Sequence, residues 1–477
     1  MKQRISSLLS SKDLHSWKVF ETTLLVAVLL DLALGGNGYL IQIGGIRLRV
    51  ILYAVCMAWT VLRLTRIEPI RIDAPLMWIS LLFAAVTALG TARGYFAGHR
   101  LEAIVAELKP LSYFPMLFFF LVTIRTREDL TLAARILVAC GILLAALYLT
   151  LLLTAATGLV QRSSIYEFLH VSDEFIFRRD PRYGPFVGFL YKGAFYICTA
   201  SLFLLFDPFR ITKILAAVAL IAVAMTLTRG LCIAILVCMI AGIILGQKWK
   251  QAPMFVAQSA LLMMVLFFAQ QAEMIPPVVS SQPPAAERAD PGANTAERDT
   301  APAQDKKQAS EPPKDECLPD SICGKIRSSM EVVTRTTDNI RMDDLKFIIK
   351  ELDLSMATIG RGLGAPIRDR ERIEVNYLEV LYKQGLLGLS VWFALFLYTF
   401  RLYLEVPPET KQFGLAFFLA SLFVFVATAS NTFLTGSIGM AVVFISTASL
   451  LVLTRENAHP MQPEEWYGRW PMRLLRA

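Results

Sequence analysis

Arg229 falls in the break Thr228-Arg229-Gly230 between two apolar runs, and no acidic residue lies near it in sequence to neutralise it. Lys192 sits about one and a half helical turns into another apolar run. Arg178, Arg179 and Arg182 precede it. Arg361, Arg368, Arg370 and Arg372 gather later, in "GRGLGAPIRDRERIEVNYLEVLYKQGLLGL" (360–389). Guanidinium forks and ammonium groups suit phosphate and pyrophosphate oxygens. Charge at a membrane edge is a functional-site hypothesis by default. Together these cations point to a basic cavity for an anionic, membrane-borne ligand.

Each position also has a plainer explanation. Arg178, Arg179 and Arg368 to Arg372 have Asp180, Asp369 and Glu371 beside them, so solvated ion pairs or lipid-headgroup contacts would account for them. Lys192, near a helix end, could snorkel to the interface. Arg229 has no such neighbour. For proton transfer, Glu374 closes the charged run where the apolar pattern begins, and partial desolvation there would raise its pKa toward general-base use. The alternative is that Glu374 only caps the helix that begins near Asn376. No HExxH, GxSxG or metal-ligand spacing occurs, so neither a metal nor another cofactor is implied, and no nucleic-acid partner. The GxGxG of 360–364 lacks the preceding strand and third-glycine spacing of a dinucleotide site. Its glycines allow a tight turn and close backbone approach.

These residues must be held by membrane helices. Of 477 residues 55% are hydrophobic and 18% charged, and the apolar excess comes in blocks. Windows of roughly 17 to 25 residues fall at 18–36, 46–63, 75–92, 103–124, 131–157, 185–206, 211–228, 230–246, 253–271, 376–400, 412–430 and 436–454. The expected fold is all-α, a polytopic transmembrane helix bundle of about twelve spans with one large periplasmic loop. Spans this apolar must be helices, because unsatisfied backbone in lipid is too costly. The first window lacks a small-residue cleavage site at the right distance and is expected to stay as an uncleaved span.

Alternate short loops are basic, among them Arg63, Arg66 and Arg71, then Arg125 and Arg127, then Lys248 and Lys250. The positive-inside rule puts them, and both termini, in the cytoplasm. The organisation expected is therefore 1–271 as nine spans with an outward loop at 158–184, a large outward loop at 272–375, three spans over 376–454, and a cytoplasmic tail at 455–477. Within the large loop, 272–316 is Pro-, Ala- and charge-rich and is expected to be disordered, while 326–358 has the spacing of amphipathic helices. Five cysteines lie in apolar windows, where a thiol acts as a small apolar group. Cys317 and Cys323 lie in the outward loop and form either a disulfide or a pair of free thiols.

The layout resembles the O-antigen ligase and Wzy-type polymerase superfamily of bacterial envelope glycosyltransferases. "LTRG" (227–230) is similar to the family's arginine at the outer end of a mid-chain span. "PRYGPFVGFLYKGAF" (181–195) resembles its Arg-x-Gly segment. "GRGLGA" followed by "RIEVNYLEVLYKQGLLGL" resembles its glycine turn and Asn-x-x-Leu helix. The resemblance implies a metal-independent, inverting transfer of a glycan from undecaprenyl pyrophosphate at the periplasmic face of the inner membrane. It implies that Arg229, Arg182 and Lys192 bind pyrophosphate, with Glu374 as the base. Arg361, Arg368, Arg372 and Asn376 are then candidate acceptor contacts. The implied partners are the lipid-linked glycan, an acceptor glycan or glycolipid, the bilayer and a chain-length regulator.

Ligases of this group often carry a histidine before the late Asn, where this chain has Val375, which tilts the expectation toward a polymerase. A ligase acting on lipid A core is the first alternative and a polyprenol-linked glycan flippase the second. A flippase needs charge at mid-span depth on several helices, and Asp31 reads as the only acidic residue well inside a span.

Overall fold

Where the apolar windows are described, they are largely helical, as a backbone that must satisfy its own polar groups requires. A computed structural model of the chain describes residues 11–34, 42–43, 46–66, 72–157, 159, 177–178, 190–191, 193–206, 210–226, 228–246, 253–254, 256–260, 264, 339–368, 370, 373 and 375–455. Within them the protein is mostly helical. The helices are α1 (Ser11–Leu34), α2 (Leu48–Arg66), α3 (Ala74–Phe96), α4 (Leu101–Leu111), α5 (Met116–Thr123), α6 (Arg127–Ala156), α7 (Ala194–Phe206), α8 (Arg210–Met225) and α9 (Arg229–Leu245). After these come α10 (339–350), α11 (Leu354–Ile359), α12 (Asn376–Glu405), α13 (Lys411–Ala427) and α14 (Ser437–Arg455). Two antiparallel ladders of two residues per strand pair Gln42–Ile43 with Ile46–Arg47 and Phe177–Arg178 with Leu190–Tyr191.

Six helical stretches among the described residues are long and apolar enough to cross a membrane: Leu48–Thr65, Ala74–Phe96, Leu101–Thr123, Arg127–Thr154, Asn376–Glu405 and Ser437–Arg455. Four shorter apolar helices accompany them at Ala194–Phe206, Thr212–Met225, Arg229–Leu245 and Lys411–Ala427. The described helix of the window 185–206 begins at Ala194, with 185–189 and 192 outside the described residues, as is most of 253–271. The expected span at 103–124 is two helices, α4 and α5, separated by a turn over 112–115. Pro115 has no N–H to continue the ladder there.

Local signals explain several boundaries. Thr126 and Asp129 form a reciprocal capping box at the start of α6, with Glu128 and Asp129 in its positive first turn. Asp73, ahead of α3, accepts hydrogen bonds from Tyr398 Oη at 3.0 Å and Arg455 Nη2 at 2.6 Å, tying α3, α12 and α14 together at one end.

Between lipid-borne helices the hydrophobic effect contributes little, so close fit decides the packing. Gly141 of α6 shows this. A Cβ added there would lie 2.3 Å from the Ala200 side chain of α7. Between α3, the turn after α4 and α12, Phe83 stacks on Phe114 with centroids 3.8 Å apart, and Trp392 stands edge-on to Phe83 at 5.4 Å.

Candidate functional site

The glycine turn of 360–364 is seated in a break in α12. Gly385 has φ 68° and interrupts the helix, so two carbonyls beside it take donors from elsewhere. The Arg361 N–H donates to Tyr382 O at 2.7 Å and the Gly362 N–H to Lys383 O at 3.0 Å. Gly360, Gly362 and Gly364 all have φ between 75° and 97°, which side-chain-bearing residues rarely adopt. The other flank of the turn rests on α3, where Leu363 N–H donates to Gly90 O at 2.9 Å. His99 Nε2 lies 3.4 Å from Arg361 O, and Arg93 Nη2 donates to Ser355 Oγ at 2.8 Å. The glycines thus serve turn formation and close backbone contact, as their spacing suggests.

Beneath the turn lies a buried ionic cluster. Lys383 Nζ donates to Glu107 Oε1 at 2.6 Å and to Glu379 Oε1 at 2.9 Å, and all three residues are at least nine-tenths buried. The Gly364 N–H donates to Glu107 Oε2 at 2.9 Å, so the turn is bonded to α4 as well as α12. Asn376, in the first turn of α12, is fully buried. Its Nδ2 donates to Thr435 Oγ1 at 2.9 Å and reaches Glu379 Oε2 at 3.4 Å, while its Oδ1 accepts the Thr435 N–H at 3.2 Å.

Thr435 belongs to the connection between α13 and α14, and Arg341, Gly230 and, at the first residue of α14, Arg49 lie against this region. Arg49 Nη1 reaches Ser437 Oγ at 3.3 Å while its Nε donates to Asp31 at 2.7 Å. Arg341 Nη2 reaches Ser430 O at 3.5 Å. Gly230 packs on Ser430 so closely that an added Cβ would lie 1.7 Å from Ser430 Oγ. Arg229, the residue before it, is the first residue of α9 and is exposed. Among the described residues Arg229 makes no ion pair. The N–H groups of Arg229 and Gly230 begin the helix without intrahelical acceptors, so guanidinium and helix dipole put like-signed charge in one place. Such a place suits an anion.

The other expected site residues divide clearly. Arg361 pairs with Asp353 at 3.1 Å and Glu351 at 3.4 Å, and Arg368 lies 3.8 Å from Asp343. Arg370 pairs with Asp344. The described partners of this basic run are therefore acids of α10 and its C-terminal end, while Asp369 and Glu371 lie outside the described residues. Ile348, Met356, Ile367, Ile373 and Tyr382 form a small separate core below these pairs. Arg182, Lys192, Arg372, Glu374, Cys317 and Cys323 lie outside the described residues.

Sequence reasoning passed over Glu107, Glu379 and Lys383. Glu107 in α4 and Glu379 in α12 lie near the ends of the expected spans 103–124 and 376–400, not well inside them as Asp31 does. The Glu379–Lys383 spacing of four was a readable signal, whereas the partner Glu107 is 276 positions away from the lysine.

An apolar groove of about 770 Å³ also runs between α3 and α4–α5, lined by Phe83, Thr87, Tyr95, Leu101, Ile104 and Phe118 among others.

No protein-family model matches this chain. A stretch of 55 residues is 44% identical to an O-antigen polymerase of Shigella flexneri. The match spans 12% of this chain and 14% of that protein's length. A partial likeness of this kind fits a polymerase role in general, and the apolar helices fit an integral membrane protein.

Proposed function

We propose that the chain is a glycan polymerase of the bacterial inner membrane. It transfers a glycan from undecaprenyl pyrophosphate to an acceptor sugar hydroxyl at the periplasmic face, inverting the anomeric centre without a metal. The observation that carries this reading is Arg229. It is exposed at the start of α9, without an ion pair among the described residues, beside the loop that Arg341 also contacts. The partial match to an O-antigen polymerase supports the same reading.

Pyrophosphate is already a good leaving group, so the main demand on the protein is to stabilise its developing charge and to position the acceptor. Arg229 and the α9 N-terminus serve the leaving group, joined by Arg182 and Lys192. Glu374 takes the acceptor proton, a role worth on the order of a hundred- to ten-thousand-fold in rate. The groove along α3 is the candidate berth for the donor's apolar chain.

Complementation with Arg229→Ala and Glu374→Ala, read as a ladder of surface glycan, tests the reading. Loss of long chains with single repeat units still attached supports a polymerase. Loss of all attached glycan assigns the chain to the ligase alternative, which Val375 in place of a histidine disfavours. Normal length and amount in both variants removes the catalytic assignment.

A further inference from the structure

Asn376 has one orientation open to it. A backbone N–H can only donate, so Asn376 Oδ1 must face Thr435 N, and an ionised carboxylate can only accept, so Nδ2 must face Glu379. Glu379 is held in turn by Lys383, which Glu107 holds from α4. The bonds therefore run from the glycine turn, through Glu107, Lys383, Glu379 and Asn376, to the Thr435 loop. Ser430 of that loop is the surface on which Gly230, the neighbour of Arg229, is packed.

With all three ionised, one ammonium faces two carboxylates among the described residues, so these three groups together carry an excess negative charge. Neutralising either carboxylate would leave a balanced pair and ease the burial cost. Stability alone gives no reason for the second carboxylate. Asn376 does, because Glu379 is the acceptor that fixes its amide.

We propose that Glu379 is a positioning residue for the transfer reaction: it orients Asn376, which fixes the Thr435 loop and with it the start of α9 that carries Arg229. The inference rests on the reading of Arg229 as a pyrophosphate ligand. Displacing a group that acts on developing charge lowers turnover more than substrate affinity.

The test is Glu379→Gln in the full chain, reconstituted in vesicles with an undecaprenyl-pyrophosphate-linked repeat oligosaccharide as probe. The glutamine keeps an oxygen for Lys383 but then turns an NH2 group toward the Asn376 NH2, two donors face to face. The expected result is a melting midpoint at or above that of the unsubstituted protein, with kcat lower by about ten- to a hundredfold and KM for the probe little changed. A purely structural cluster would leave kcat in step with stability. Thr435→Val removes the hydroxyl half of the link at its far end while keeping the backbone N–H bond to Asn376 Oδ1. It is therefore expected to lower kcat in the same direction, and it decides the question if Glu379→Gln does not fold. Undiminished kcat in a folded Glu379→Gln or in Thr435→Val overturns the positioning role, while inactivity of Arg229→Ala in the same assay keeps the polymerase reading. Full activity of Arg229→Ala removes that reading itself.

Discussion

Gly94 and Leu363 are in backbone contact: a Cβ added to Gly94 would lie 2.0 Å from the Leu363 carbonyl oxygen. Through this contact α3 supports the glycine turn from the side opposite the α12 break. Gly94→Val must push the turn away. The expected cost is about 1–3 kcal/mol, the range of overpacked interiors, seen as a lower melting midpoint of the detergent-purified protein. A midpoint equal to that of the unsubstituted chain would contradict the docking of the turn on α3.

Lys383→Met leaves Glu107 and Glu379 buried together without their cation. Removing one partner of a buried ionic group costs about 3–5 kcal/mol, so the variant is expected to be severely destabilised. Adding Glu107→Gln and Glu379→Gln to Lys383→Met should restore much of the loss. If Lys383→Met melted with the unsubstituted protein, the cluster could not be as dry as the structure has it.

Asp353 caps α11 by accepting the Met356 N–H, and that bond, with the Arg361 guanidinium nearby, holds its carboxyl below the usual aspartate range. The sign follows from linkage. A lowered carboxyl stabilises the fold while ionised, so its contribution is present above the ordinary value of about 3.9 and is lost as pH falls through the lower native one. Amide exchange over 353–361 is expected to quicken on acidification in that range, and Asp353→Asn to flatten the dependence. Exchange in the unsubstituted protein that ignored pH there would argue against the cap.

Hydropathy made most helices legible, since 3.6-residue periodicity and lipid both demand them, and Thr228-Arg229-Gly230 was readable as a helix start between two apolar runs. The turn at 112–115 was not, because the residues around Pro115 are as apolar as the helices they separate. The partners of Arg361, Arg368 and Arg370 were less legible, because Asp343, Asp344, Glu351 and Asp353 are brought to them by the small core under Ile348 and Tyr382, while Asp369 and Glu371 lie outside the described residues. Glu107 could not be assigned to Lys383 by any local pattern, because only the folding of α4 against α12 brings them together.

In the proposed reaction Arg229 holds the leaving pyrophosphate. Its most direct test is chain extension by the purified protein in vesicles, with an undecaprenyl-pyrophosphate-linked repeat oligosaccharide as both donor and acceptor and product length read on a gel. The unsubstituted protein is expected to build long chains, whereas Arg229→Ala, folded and present in equal amount, leaves single repeats. Long chains made at the same rate by Arg229→Ala would contradict that role.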